Sequence, residues 1–312
     1  MLPLFKGIVA SLLLLVNTLF WACFLFSFTL FKIILPIPVI RRLITAILDT
    51  IANAWISCNS GWMILTQRMD WKIERPSNLD KKGWYFVLSN HQSWVDILVL
   101  QHSLNGRIPL LKFFLKQELI KVPIMGAAWW ALDFPFMKRY SKAYLEKHPE
   151  KKGQDLETTR KACEKFKDLP TSVMNFLEGT RYTEQKHAEQ KSEFKHLLKP
   201  KAGGMAFAMS AMGDQFKSIL DVTIYYPDGI PTFWDFMQGK MPRCSVVIEE
   251  KAIPKELMNG DYEASDRYRL DFQLWVQQLW EEKDRRLETM RKQYNRLSGA
   301  THTVASAAFC FV

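Results

Sequence analysis

The chain has 312 residues, with 42 Lys or Arg against 32 Asp or Glu, and a formal net charge of +10. This length suits one large domain, or a domain with an anchor, that buries a substantial core. A basic surface can meet nucleic acid or anionic lipid, but the sequence has no zinc-finger spacing or other nucleic-acid motif. The five cysteines are scattered without a Cys-x-x-Cys pair, so neither a disulfide framework nor structural zinc is expected.

The amino-terminal segment is apolar. Residues 7–31 carry no charge, and at about 1.5 Å per residue they are long enough to cross about 30 Å of hydrocarbon. Lys6 precedes the segment, whereas Lys32, Arg41 and Arg42 follow it, so the positive-inside rule places the downstream side in the cytoplasm. We predict a transmembrane helix over about 7–31, since no convincing signal-peptide cleavage site is present.

A second apolar segment, residues 43–66, carries Asp49. Burying this carboxylate near the bilayer centre would cost about 2.5–3.5 kcal/mol. We therefore predict an interfacial or second membrane helix, with Pro36 and Pro38 making the bend before it. A core helix of the globular domain is the alternative.

The most informative stretch follows residues 84–88, an aromatic and β-branched run that predicts a buried strand. Ser93 is a candidate N-cap for the next helix. His91 then lies just after the carboxyl end of the strand, and the side chain of Asp96, on the first helical turn, can reach back to the imidazole. Such a carboxylate holds one ring nitrogen as N–H and leaves the other free to accept a proton. The spacing also occurs by chance, so a packed or solvated histidine is the alternative.

A second predicted strand, residues 171–177, ends in Glu178-Gly179-Thr180-Arg181. Gly179 allows a tight turn, and Arg181 offers a planar fork that matches phosphate or carboxylate. Residues 219–224 are a third strand candidate. An imidazole base beside several cations suits an alcohol nucleophile carried on a phosphorylated molecule.

Three motifs together resemble the glycerolipid acyltransferases of the lysophosphatidate acyltransferase type. They are Asn-His-x4-Asp at 90–96, Phe-x-x-Arg at 136–139 and Phe-Leu-Glu-Gly-Thr-Arg at 176–181. The resemblance covers roughly residues 84–226. The Pro usual in the family's fourth motif is replaced by residues 221–224, Asp-Val-Thr-Ile, as in the branch of lysocardiolipin acyltransferases and their bacterial relatives. This departure leaves the acyl acceptor open.

The resemblance implies acyl transfer from acyl-CoA or acyl carrier protein to a lysophospholipid hydroxyl. The leading candidate for the acceptor is 1-acyl-sn-glycerol-3-phosphate, with lysocardiolipin or lysophosphatidylglycerol as the alternative. The resemblance makes His91, held by Asp96, the general base. It implies that no cofactor, metal or covalent acyl-enzyme takes part. Arg181, Arg139 and Lys116 are the candidates for holding the acceptor phosphate. The orienting residues are Asn90, Glu178, Gly179 and Thr180.

Two other classes of function stay open at this point. A non-catalytic lipid-binding scaffold would keep the anchor and the cations but would tolerate the loss of His91. A metallohydrolase would need further ligands around His91, and only His102 is close to it in sequence. The basic segment from 182 to 201 is either a mobile loop that attracts a phosphate-rich donor or headgroup, or a solvated loop.

The predicted architecture is α/β, a mixed sheet flanked by helices with an amino-terminal transmembrane or interfacial anchor. The predicted organisation is a membrane anchor over 1–70, an acyltransferase domain over 71–297 and a flexible tail over 298–312. A further strand is predicted at 243–249 and a long amphipathic helix at 262–297. The expected location is a bacterial inner membrane, with the domain on the cytoplasmic side.

Overall fold

A computed structural model describes residues 2–137, 166, 169–258, 260, 262 and 264–308. It begins with two long helices, α1 (Leu2–Ile34) and α2 (Pro38–Thr66), which enclose the two predicted apolar segments. The bend between them is where the prolines predicted it, and Pro38 begins α2 because a first-turn residue needs no N–H partner.

Six strands of the described chain form one mixed sheet in the order β1-β8-β7-β2-β6-β3. Only β8 runs antiparallel to its neighbour β7, and the other pairings are parallel. The strands β4 (Leu115–Lys116) and β5 (Phe136–Met137) form a separate parallel pair. The six strands of the main sheet are β1 (Asp70–Glu74), β2 (Tyr85–Ser89), β3 (Leu111–Phe113), β6 (Ser172–Phe176), β7 (Ser218–Tyr225) and β8 (Arg243–Lys251).

Helices cover both faces of this sheet. The long carboxyl-terminal helix is predicted to end at residue 297. In the structure it runs as one element to residue 308. After α2, the described helices are α3 (Val95–Leu104), α4 (Met125–Ala131), α5 (Glu184–Gln190), α6 (Gly203–Met212), α7 (Phe233–Met237) and α8 (Asp266–Ala308).

The central strand β2 is buried along its whole length. Tyr85 and Val87 pack with α1, α2 and α3 on one face, whereas Phe86 and Leu88 pack with α6 and α8 on the other. A strand between two helical layers needs apolar side chains on both faces, which explains its continuous apolar run.

The second helix α2 packs on the sheet as part of the same core. Its Leu48 and Trp62 are buried in the cluster that holds β2. Asp49 lies 3.3 Å from Lys112 Nζ of β3, so its carboxylate has a cationic partner within the domain. The residues predicted as a separate anchor thus share their core with the globular domain.

The first helix α1 contacts the domain near both of its ends. At its carboxyl end, Lys32 Nζ lies 2.5 Å from Asp133 Oδ2. At its amino end, a Cβ added to Gly7 would lie 3.0 Å from Trp234 Cη2. Of the described helices, α1 alone is long and apolar enough to cross a membrane, by length and composition. Crossing itself stays a prediction.

The unusual carboxylate of the fourth motif has a structural explanation. Asp221 on β7 is fully buried and forms an ion pair with Lys283 of α8, which is also fully buried. Arg286 Nη1 lies 3.2 Å from Asp221 Oδ2 and donates to Thr223 Oγ1 at 2.7 Å. Removing one partner of such a buried pair is strongly destabilising, so this network fastens α8 to the sheet.

Candidate active site

The predicted site residues meet where three neighbouring strands end. The strands β6, β2 and β7 lie side by side and run parallel. His91 follows β2, Glu178 follows β6 and Tyr226 follows β7. Carboxyl ends of parallel strands are where open α/β sheets bind ligands, so the topology gathers side chains that are far apart in sequence.

The first pair is His91 with Asp96. His91 Nδ1 lies 2.9 Å from Asp96 Oδ2, and the same oxygen accepts the backbone N–H groups of Gln92 at 2.6 Å and Ser93 at 2.9 Å. Asp96 is fully buried. Because donors converge on its carboxylate, Asp96 acts as an ionised acceptor and His91 carries its proton on Nδ1. Nε2 is then the free base.

The helix that carries Asp96 starts one residue later than predicted. Trp94, not Ser93, is the cap residue of α3. The Ser93 hydroxyl donates to the Pro231 carbonyl at 2.6 Å and accepts the Val95 N–H at 3.2 Å. Its tertiary contact with Pro231 holds Ser93 outside the helix, which sequence reasoning could not foresee.

A third residue, Tyr226, contacts Asp96 and is absent from the sequence predictions. Tyr226 Oη donates to Asp96 Oδ1 at 2.6 Å, and burial raises the pKa of Tyr226 well above its usual value. The phenol therefore stays a neutral donor. The sequence does place Tyr226 just past the end of β7, on the same face as Val222 and Ile224. Predicting its contact with Asp96 would also have required the register of β7 against β2.

For acyl transfer, the reaction that the sequence resemblance implies, we expect Tyr226→Phe to lower kcat about tenfold with little change in KM. Asp96 loses one hydrogen-bond donor, while the aromatic ring keeps its packing. Tyr225→Phe is the matched control, since Tyr225 packs on the other face of the sheet beside Tyr294. Steady-state kinetics of the two variants make the comparison. Equal activities would remove Tyr226 from the positioning of Asp96.

The imidazole is also fixed by stacking. The ring of Phe176 lies against His91 with centroids 3.9 Å apart and planes 13° apart. The side chain of His91 is 12% exposed, and it lines the large cavity described below. The ring therefore has one orientation, with one edge on Asp96 and the other toward the cavity.

Glu178 supports the backbone of the base. Its Oε1 accepts the His91 N–H at 2.7 Å, and its Oε2 accepts the Leu198 N–H at 3.0 Å. Burial raises the pKa of Glu178 to about 8, with the two backbone N–H groups acting in the opposite direction. The sequence predicts that Glu178 orients the Arg181 turn or a neighbouring donor. In the structure its carboxyl instead accepts the backbone N–H groups of His91 and Leu198 and does not line the cavity.

Asn90 joins two strand ends. Its Nδ2 donates to the Ile224 carbonyl at 2.9 Å, and its Oδ1 accepts the Ile224 N–H at 2.9 Å. The side chain thus continues the pairing of β2 with β7 beyond the strand. This fixes where the chain turns toward His91.

The turn after β6 is held from several sides. Gly179 has φ of +68°, a conformation that favours glycine, and its N–H donates to the Phe176 carbonyl at 2.9 Å. Lys186 Nζ donates to Thr180 Oγ1 at 2.9 Å and to the Arg181 carbonyl at 3.1 Å. The basic segment left open by the sequence therefore contains a helix, α5, packed against this turn.

The candidate phosphate-binding cations differ in their placement. The Arg181 guanidinium lies 4.7 Å from the centroid of the Trp94 ring, and both Arg181 and Lys116 line the cavity with His91. Arg139 lies outside the described residues. The structure thus brings two of the three predicted cations to the base.

The cavity itself has a volume of about 830 Å³. Its apolar part is walled by α1, α2 and α4, for example by Leu14, Ile56 and Trp129, and its polar end carries His91 and Arg181. The volume falls in the range of about 300–1,000 Å³ of small-molecule sites. A ligand with a long apolar chain and an anionic head matches this division.

The thiol that lies near the base among the described residues is not available as a nucleophile. Cys244 lies near Asp96, and burial raises the pKa of its thiol, so the group stays protonated. Among the described side chains, no cluster of three or more His, Cys, Asp or Glu is arranged to hold a metal. The described side chains thus offer a base for proton transfer beside an apolar cavity that also carries cations.

Comparison with known proteins identifies the family of the chain. A family model described as Acyltransferase matches residues 70–227, and the chain belongs to this family. The 1-acyl-sn-glycerol-3-phosphate acyltransferase delta of Homo sapiens is 28% identical over 213 residues, which cover 64% of this chain and 50% of that protein. Lysocardiolipin acyltransferase 1 of Gallus gallus is 26% identical over 216 residues, covering 64% and 52%. The chain thus spans about half the length of these curated relatives.

A solved structure matches over nearly the whole chain. The 1-acyl-sn-glycerophosphate (LPA) acyltransferase PlsC of Thermotoga maritima superposes with a TM-score of 0.54 at 20% identity, covering 92% of this chain and 98% of that one. This likeness confirms the predicted fold, a mixed sheet flanked by helices with a long apolar amino-terminal helix.

Proposed function

We propose that the protein transfers a fatty acyl group from an acyl thioester to the free hydroxyl of a lysophospholipid. The observation that carries this proposal is the His91–Asp96 pair, whose free ring nitrogen faces an apolar cavity with Arg181 at its polar end. The motifs of this site, in this order, are those of the lysophosphatidate acyltransferase type.

In the proposed reaction His91 Nε2 accepts the proton of the acceptor hydroxyl as its oxygen attacks the thioester carbonyl. The new C–O bond forms, the C–S bond breaks, and the imidazolium returns its proton to the departing thiolate. A thiol with a pKa of about 8.5 leaves with little acid assistance. Asp96 stabilises the imidazolium and keeps the ring in one tautomer.

The acceptor is 1-acyl-sn-glycerol-3-phosphate in this proposal, and the product is phosphatidate. The names of the relatives support this acceptor and keep a second one open, lysocardiolipin or another lysophospholipid such as lysophosphatidylglycerol. The donor is acyl-CoA or acyl carrier protein. The reaction runs at a membrane, which we place as a bacterial inner membrane with the site on the cytoplasmic side.

The test is acyl transfer by purified protein in detergent, with labelled acyl-CoA or acyl carrier protein and a panel of lysophospholipids. Transfer to one acceptor identifies the substrate and the donor. No transfer from any pair, by folded protein that still binds phospholipid, would favour the non-catalytic scaffold instead.

We expect Arg181→Gln to raise the KM for the acceptor about 10- to 100-fold, because a charge-assisted contact with the acceptor phosphate is lost. Arg181→Lys should recover part of the loss. Arg267→Gln serves as the control, since Arg267 is an exposed cation of α8. An acceptor KM unchanged in Arg181→Gln would contradict the phosphate role.

A further inference from the structure

A second cavity lies at the end of α3 opposite to Asp96. Its volume is about 560 Å³, and two loops wall it, residues 75–81 after β1 and residues 105–107 after α3. None of its described lining residues also lines the cavity that holds His91. The ten residues of α3, at about 1.5 Å each, separate the two sites by about 15 Å along the helix. We call this second cavity the basic pocket.

The charged side chains that line the basic pocket have one sign. They are Arg75, Lys81 and Arg107, and no carboxylate is found among the described residues of its wall. None of the three cations forms an ion pair within the described part of the chain. The pocket therefore concentrates positive charge that the protein itself does not neutralise.

The carboxylates closest to these cations in sequence have other partners. Glu74 Oε1 lies 3.1 Å from Lys72 Nζ, which is on the same strand β1. Asp80 Oδ1 accepts the backbone N–H of Lys82 at 2.8 Å. An acceptor for the guanidinium groups of the basic pocket must then come from outside these two loops.

The guanidinium of Arg75 is held in place inside the domain. Its Nη1 donates to the Ser103 carbonyl at 3.3 Å, near the end of α3. Burial and the neighbouring Arg107 guanidinium both lower the pKa of Arg75. Two like charges are thus kept close to each other, an arrangement that disfavours both charged forms. A bound anion would offset this repulsion.

The loop that carries Arg107 is fixed to the second helix. Asn105 Nδ2 donates to Ser57 Oγ at 2.8 Å and to the Asn53 carbonyl at 3.2 Å, and both partners belong to α2. Gly106 has φ of +71°, a conformation that favours glycine. The backbone on both sides of the basic pocket is therefore set before any ligand enters.

The chemistry of the three cations indicates the class of ligand. Each guanidinium is a planar fork that can bind a phosphate through two parallel hydrogen bonds, and a lysine adds a point charge. The volume lies within the range of about 300–1,000 Å³ of small-molecule sites. Pro76 and Leu79 add apolar surface to the wall. The pocket thus has room and surface for an organic group beside the phosphate.

We propose that the basic pocket binds a phosphate monoester carried on a small organic molecule, with Arg75 and Arg107 on the phosphate and Lys81 as the third cation. The phosphate belongs to a nucleotide or to a glycerophosphate, and the test separates these two sources. The site goes beyond the proposed acyl transfer, because it lies apart from His91.

The test is isothermal titration of the full chain in neutral detergent with two probes, adenosine 3′,5′-bisphosphate and sn-glycerol 3-phosphate. The titrated protein carries Arg181→Gln, which weakens anion binding at the cavity of His91. We expect saturable binding of at least one probe. Adding Arg75→Gln/Arg107→Gln should raise its dissociation constant about 100-fold or more, because two charge-assisted contacts are lost.

The matched control is Arg267→Gln/Arg285→Gln in the same background. It removes the same charge from exposed positions of α8, and the affinity should stay unchanged. Arg107→Gln alone provides a second variant that should keep the fold, because Arg107 is exposed and its described hydrogen bond uses only the backbone N–H. It should weaken binding about tenfold. Thermal transitions of all variants in detergent show whether the fold is kept.

Saturable binding of neither probe would overturn the proposal, as would a dissociation constant that is unchanged in both pocket variants. An equal loss in the control would also overturn it, in favour of a general effect of net charge. Tighter binding of the bisphosphate would assign the basic pocket to a nucleotide, and tighter binding of the glycerol phosphate would assign it to a glycerophosphate. The measurement involves no acyl transfer, so its failure is distinguishable from a failure of the proposed function.

Discussion

Replacing His91 by alanine should lower kcat for acyl transfer about 10²- to 10⁴-fold, the usual contribution of a general base. No other described side chain at the cavity combines a free ring nitrogen with a buried carboxylate partner. The KM for the acceptor should change little, because in the proposed function the acceptor phosphate is held by cations that the substitution leaves in place. Initial rates at saturating donor measure the effect.

The control for His91→Ala is His102→Gln, near the end of α3, the helix that carries Asp96, where the imidazole packs against the Trp71 ring. Its activity should match the wild type. The thermal transitions of both variants in detergent show whether the fold is kept. A folded His91→Ala protein with near-normal turnover would refute the proposed mechanism.

The stability of the wild type should fall as the pH rises from about 4.5 to about 8, and Glu178 should cause a large part of that fall. The pKa of Glu178 is raised in the folded protein to about 8, so the native state binds more protons than the unfolded state within this window. The free energy of unfolding then decreases with pH by up to about 1.4 kcal/mol per unit. The contribution is fully present below the window and lost above it.

Glu178→Gln removes this titration. The variant should lose some stability at every pH, because its amide offers one acceptor for the two N–H groups of His91 and Leu198. Its unfolding free energy should then show a flatter pH dependence than the wild type in urea titrations. Glu256→Gln, at an exposed carboxyl, should keep the wild-type slope. Equal slopes for all three proteins would exclude a raised pKa at Glu178.

The parts of the fold that sequence reasoning found are those with unbroken apolar runs. The strands predicted at 84–88, 171–177 and 219–224 correspond to β2, β6 and β7, which lie inside the sheet. The edge strand β1 was missed because its charged residues, among them Lys72, alternate with apolar ones. Edge strands carry charged side chains that prevent aggregation. These charges interrupt the apolar run by which a strand is recognised in the sequence.

The same contrast holds within the site. His91 and Asp96 were predicted together because they are close along the chain, so local geometry was enough. Tyr226 reaches Asp96 from the end of β7, and this needs the pairing of β7 with β2. Lys112 likewise lies within an apolar run of the sequence, yet in the structure it forms an ion pair with Asp49 of α2. Contacts that depend on strand register were beyond a single sequence.

The pairing of β1 with β8 has a consequence for the making of the protein. Asp70 lies opposite Arg243, so the first strand obtains its neighbour only when most of the chain has left the ribosome. At about 5–20 residues per second, this delay lasts about ten seconds or longer. During that interval α1 and α2 are already synthesised, with apolar faces that have no sheet to pack on. In the proposed membrane location, the bilayer is the first apolar surface available to the nascent chain, and we expect anchoring of the chain to precede its folding.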